Sequence, residues 1–239
     1  MMLSPRERER KKGVFAKALR SGGNADTKRY MELYADFSEL GYTRELAENY
    51  ADAFVNEHKK PLAEDILQTV RLFDRIRDFG SAEFYLYMLK DKKLNNDDKF
   101  GYCIEALKNK SKQGHWRDAV DFRTENINFM QNHSEKVDMK QRADLYIALA
   151  LVDCATKKYM QAFKLLMNFG YKPQGRNDSK LLEILITGIY ICSHTGNQES
   201  IDNAVENAHG AMKLFTEYEH PWLKAFYEKQ IQDAAQGII

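Results

Sequence analysis

The sequence predicts an all-α fold of about five helical pairs packed side by side. Three observations predict it. First, the stretch Tyr146–Leu166, reading YIALALVDCATKKYMQAFKLL, holds two short apolar helices around a polar break. Tyr146, Leu149, Ala150 and Val152 share one face of the first at spacings of three and four, and Tyr159, Ala162, Phe163 and Leu166 share one face of the second. Thr156-Lys157-Lys158 makes the turn. Neither helix can bury its apolar face alone, so the pair must pack on itself and on neighbours like it. Second, weaker copies of this unit lie on both sides. Third, only four prolines interrupt 239 residues, and Val, Ile and Thr form no alternating runs, so no strand is predicted.

Composition bounds the class. With 44% hydrophobic and 30% charged residues the chain reads as folded and soluble rather than disordered. A net charge of +1 argues against wholesale binding to nucleic acid or to an anionic membrane, and leaves only local patches. Cys103, Cys154 and Cys192 are odd in number, far apart and each inside an apolar helical pattern, which reads as buried reduced thiols. No CxxC pair points to zinc or dithiol chemistry. The N-terminus is highly charged, and no run approaches the roughly 20 apolar residues that span a bilayer. A cytoplasmic protein without a membrane partner is expected.

Taken in order, residues 1–23 are basic: Arg6, Arg8, Arg10, Lys11, Lys12, Lys17 and Arg20 against Glu7 and Glu9. Ser4-Pro5-Arg6-Glu7 has the form of a capping box, and Gly22-Gly23 stops the helix it starts. This segment reads either as a solvated terminal helix docked by Val14, Phe15, Ala18 and Leu19, or as a basic arm touching nucleic acid or an acidic protein. The first pair is expected over 26–40 and from a Thr43 cap to Lys59-Lys60-Pro61, with Leu46, Ala47, Tyr50, Ala53 and Phe54 turned inward. Further pairs are expected at about 62–78 with 81–91, and at about 97–112 with 115–131. After the central pair, another runs from Asp178 to about Thr195 and from Asn197 towards Tyr218, and Pro221 opens a last helix through about Ala235.

Gly114-His115-Trp116-Arg117-Asp118-Ala119 resembles the GxYxxA turn of tetratricopeptide repeats, with Trp in the aromatic place. The central unit matches through Tyr146, Leu149, Ala150, Tyr159 and Ala162, but has Lys157 where glycine is expected and Asp153 where an aromatic is expected. Other units match through Phe79 and Ala82, without the glycine, and through Gly188, Gly196 and Ala208, with Ile201 in place of the small residue. The small-residue positions 82, 119, 162 and 201 give spacings of 37, 43 and 39, longer than the 34 residues of the family's repeat. The resemblance covers about residues 60–210. It implies a right-handed α-α superhelix of about five TPR-like hairpins with extra N- and C-terminal helices. Residues 24–239 would form one helical-repeat domain and residues 1–23 an arm.

Motifs for chemistry are missing. There is no GxxxxGK[ST], no GxGxxG after a strand, no GxSxG and no HExxH. Two ExxH patterns, Glu206 to His209 and Glu217 to His220, lie too close in sequence to face each other across a core and read as surface residues. Cys192 and His194 diverge on a helix, and Trp116 and Trp222 read as packing residues. No catalytic residue, metal or cofactor is expected. The resemblance instead implies a protein- or peptide-binding adaptor whose ligand meets the first helix of each pair on a concave face. Carried over by register, that face has Leu67, Arg71, Asp74 and Arg75 in the second pair, and Ile104, Lys108, Ser111 and Lys112 in the third. The central pair supplies Ile147, Leu151, Cys154 and Ala155, and the fifth supplies Ile186, Tyr190 and His194. An acidic peptide with an apolar anchor would fit. The alternative is a nucleic-acid-associated factor acting through residues 1–23.

Overall fold

The computed structural model describes residues 44–56, 58–173, 179–216 and 221–239. Every regular element among them is helical, and none of the described residues lies in a strand. The basic segment 1–23 and the helix expected over 26–40 lie outside the described residues. The described chain divides into two compact units, one up to Asp98, with which residues 221–223 group, and one from Lys99 onward.

The first unit begins with α1 (Arg44–Ala51), which runs into a π-helical turn over Asp52–Asn56. Then come α2 (Ala63–Arg75) and α3 (Phe79–Lys90). Tyr50 packs on Phe54 with ring centroids 4.6 Å apart, and Phe73 stacks on Tyr85 at 5.6 Å. The Tyr50 hydroxyl donates to Asp65 Oδ1 at 3.1 Å, giving a buried carboxylate its partner. Burial, then Asp65, raises the pKa of that hydroxyl. The π turn corrects the expected inner face. Ala51 already closes α1 on the buried side, and the wider π turn then puts Phe54 and Val55 in the core and leaves Ala53 only partly covered.

The second unit takes most of α4 (Asn96–Lys112), then α5 (Trp116–Ser134), α6 (Met139–Ala155), α7 (Tyr159–Phe169), α8 (Ser179–Ser193), α9 (Gln198–Thr216) and all but the start of α10 (Pro221–Ala235). Two helices exceed their expected length. α5 continues to Ser134, and α6 starts at Met139 because the Asp138 side chain accepts from Gln141 N at 2.8 Å and caps it.

One turn recurs in both units. Arg77, Gly114, Lys157, Gly196 and Gly237 all have positive φ, between 61° and 77°. Around Arg77, Gly114, Lys157 and Gly237 the backbone closes as a Schellman motif. The following N–H donates five residues back: Asp78 to Phe73 O at 3.0 Å, His115 to Lys110 O at 2.9 Å, Lys158 to Asp153 O at 2.8 Å and Ile238 to Asp233 O at 2.9 Å. After Arg77, Gly114, Lys157 and Gly196 the next helix is entered alike, with Ala82 N donating to Asp78 O, Ala119 N to His115 O, Ala162 N to Lys158 O and Ile201 N to Asn197 O. Ala82, Ala119 and Ala162 are wholly buried where the paired helices meet. Trp116 departs from the expected packing role: it is 46% exposed, with the Arg117 guanidinium 4.9 Å from its ring.

α6 is enclosed on two sides. Leu145, Ala148, Leu149 and Val152 pack with Phe100, Cys103, Ile104 and Leu107 of α4 and with Ala119 and Met130 of α5. Ala143, Ile147, Ala150, Leu151 and Cys154 pack with Ala162 and Leu166 of α7 and with Ile184 and Ile191 of α8. A first helix flanked by hairpins on both sides has no apolar face to spare.

Candidate functional site

Within the second unit the first helices of three successive pairs are tied by a chain of charges. Lys108 Nζ of α4 donates to Asp144 Oδ1 of α6 at 2.8 Å, and Lys180 Nζ of α8 donates to the same oxygen at 2.9 Å. Glu105 lies 4.0 Å from Lys108, and Lys180 is also paired with Glu183. Glu105 is buried, the Lys108 and Lys180 side chains are nearly so, and the cluster sets three carboxylates against two ammoniums. Burial by itself would raise the Asp144 pKa, but Lys108 and Lys180 outweigh it and hold the carboxyl far below the ordinary range. Burial likewise works to lower the Lys108 pKa, but Asp144, Glu105 and Glu183 overcome it and raise it. Neither group exchanges a proton near neutrality. The cluster is chemically a clamp.

A second tie joins α5 to α6: Arg123 Nη1 lies 2.6 Å from Asp153 Oδ1, both side chains mostly covered. Asp153, standing where an aromatic was expected, is therefore an ion-pair partner of the preceding helix.

Burial divides the expected ligand-binding face. Ile104, Ile147 and Leu151 are core residues, as are Leu67, Cys154 and Ile186, and none lines an open groove. Lys108 is held by Asp144 inside the stack rather than presented to a ligand. Ser111 is buried, and Lys112 is half-buried. Sequence register placed these positions on the first helices but could not show that α6 is packed on both sides.

Other members of the set keep contact with solvent. Arg71 and Arg75 are exposed one turn apart on α2 of the first unit, with Asp74 half-buried between them. In the second unit α8 brings half-buried Tyr190 beside exposed His194, their rings 4.6 Å apart at a steep angle. Tyr159 of α7 lies 5.5 Å from the His194 ring. The Tyr190 carbonyl accepts from His194 Nδ1 at 2.8 Å, and Ser193 Oγ lies 3.2 Å from the same nitrogen. The Tyr190 hydroxyl shares a hydrogen bond with the Cys154 thiol. Burial pushes that thiol up to about 12 against the opposing hydrogen bond, and burial pushes Cys103 up to about 11. All three cysteines are free and buried, conditions that make a thiol a poor nucleophile. Glu206 and His209 are exposed on α9, while Glu217 and His220 lie outside the described residues. Among the described residues no cluster of His, Cys, Asp or Glu is arranged to hold a metal ion.

Comparison of the sequence with protein-family models, with curated proteins and with solved structures found no match. No described helix is long and apolar enough to cross a membrane.

Proposed function

We propose that this chain is a non-catalytic, cytoplasmic protein-binding scaffold, a TPR-like right-handed stack of helical hairpins that presents side chains from a fixed frame. The observation that carries this reading is the turn repeated at Arg77, Gly114, Lys157 and Gly196, each followed five residues later by the residue that seats the second helix. Repeated hairpins joined through their neighbours make extended surfaces, and such surfaces bind peptides and proteins. The clamp from Glu105 to Glu183 supports the same reading, because it ties three first helices to one another and so presents a partner with an ordered surface.

The ligand-facing residues in this reading are those of the first helices that meet solvent: Arg71 and Arg75 on α2, and Tyr190 with His194 on α8. Two guanidiniums one turn apart suit a peptide carrying acidic residues, through charge-assisted hydrogen bonds. The test is affinity capture on the full chain from native lysate, followed by titration of the purified partner. The variant R71E/R75E should weaken binding about tenfold or more, or about 1.4 kcal/mol. Unchanged binding would remove the arginines from the site. Retention of nucleic acid instead, steeply salt-dependent and lost on deleting residues 1–23, would replace this reading with that of a nucleic-acid-associated factor.

A further inference from the structure

The outer side of α7 combines exposed apolar side chains with charge of one sign. Between Asp153 and Asp178 the sequence holds no acidic residue, while Lys157, Lys158, Lys164, Lys172 and Arg176 supply five basic ones. The four lysines are exposed, and among the described residues none of them pairs with a carboxylate. Ala162 and Leu166 bury the inner side of the helix. On the outer side Met160 is 62% exposed and Met167 is 46% exposed, with half-buried Phe163 beside them and Lys164 between them. Positions 160, 163, 164 and 167 form one stripe at helical spacing, about 10 Å long. Methionine is flexible and polarisable, a side chain suited to packing against another protein's apolar residues.

We propose that this face of α7 is a docking surface for an acidic amphipathic helix of a partner protein. Apolar residues of that helix would seat on Met160, Phe163 and Met167, and its flanking carboxylates would face Lys157, Lys158 and Lys164. Charge complementarity selects this occupant: an unopposed run of lysines beside an apolar stripe matches a helix with an apolar face and acidic edges. Nucleic acid fits less well, because the stripe is built of thioethers rather than exposed aromatic rings on which bases stack. A membrane surface fits less well too, because two methionines on a short helix offer little area to insert. The proposal rests on the protein-binding reading above but uses a surface distinct from Arg71 and Arg75.

The test uses the full chain and fluorescence anisotropy with a labelled amphipathic peptide of about 18 residues, bearing leucines on one face and glutamates beside them. Its twin with lysines for the glutamates, a single-stranded RNA and vesicles containing phosphatidylserine are measured in parallel. The acidic peptide should bind at least tenfold more tightly than its basic twin, and salt should weaken it. The variants K157E/K158E/K164E and M160S/M167S should each lower that affinity tenfold or more with unchanged circular dichroism. Equal binding of the twins, absence of binding, indifference to both α7 variants, or a preference for RNA or vesicles would overturn the proposal. A captured partner that is lost with R71E/R75E but indifferent to both α7 variants would overturn it while leaving the scaffold reading standing.

Discussion

Lys108 Nζ lies 2.8 Å from Asp144 Oδ1, and this contact fixes α4 against α6 from the inside. Lys180 reaches the same oxygen from the other side at 2.9 Å. Asp144 stands 36 residues from each of the two lysines, yet the three do not mark one repeat position. Lys108 precedes its turn residue Gly114 by six residues, Asp144 precedes Lys157 by thirteen, and Lys180 precedes Gly196 by sixteen. The bridge therefore fixes the helices at staggered levels.

Removing the shared carboxylate should be the most damaging single change in the second unit. Asp144→Ala leaves two largely buried ammoniums without it and is expected to cost about 3–5 kcal/mol. Urea denaturation followed by circular dichroism measures this. A loss below about 1 kcal/mol would place the pair in the class of weak surface bridges.

The same cluster sets a pH profile. Asp144 titrates lower in the fold than unfolded, so its contribution is present above the ordinary carboxylate range near pH 4 and is lost as pH falls toward its folded value. Lys108 titrates higher in the fold than unfolded, so its contribution is complete below about pH 10.4 and is lost as pH rises toward its folded value. Thermal stability from this cluster should be flat through neutrality and fall at both extremes. Asp144→Asn should lack its share of the acid limb, and identical acid limbs in the two proteins would contradict the assignment.

The turns give substitutions of opposite sign. Lys157 has φ of 61°, where a side chain is strained and glycine is not, so Lys157→Gly should stabilise by about 0.5–1 kcal/mol. Gly114 has φ of 77° and nothing within 4 Å of an added Cβ, so Gly114→Ala should cost about 1–2 kcal/mol through backbone strain alone. Differential scanning calorimetry of the two variants reads both signs, and a destabilised Lys157→Gly would contradict the shared turn.

Ala162 is fully buried at the start of α7, opposite α6. Ala162→Leu should overpack that contact and cost about 1–3 kcal/mol. An unchanged melting temperature would mean that the hairpin opens easily there.

The turns were legible because their signal is local. A small residue at 82, 119 or 162 must let two helices approach, and each stands five residues after a left-handed position, including Arg77 and Lys157, where the sequence shows no glycine. The start of α6 was less legible, because Met139–Asp144 is mostly polar and only the Asp138 cap announces it. The clamp was not legible. A lysine at 108 looks the same whether it meets solvent or a carboxylate 36 residues away, and only the packing of α4, α6 and α8 decides. The run from Tyr146 to Val152 is apolar nearly all round, which marks a helix buried on more than one side rather than one lining a groove.

The enclosure of α6 is the central structural claim, since it puts Ile147, Leu151 and Cys154 in the core. Cys154 sits on that helix, buried and with its thiol raised to about 12. The direct measurement is native-state labelling by a small maleimide, with the modified site located by mass spectrometry. A closed core predicts that Cys154 is labelled no faster than the protein unfolds. Rapid labelling of Cys154 in the folded protein would mean that α6 lines an open groove, and would contradict the enclosure.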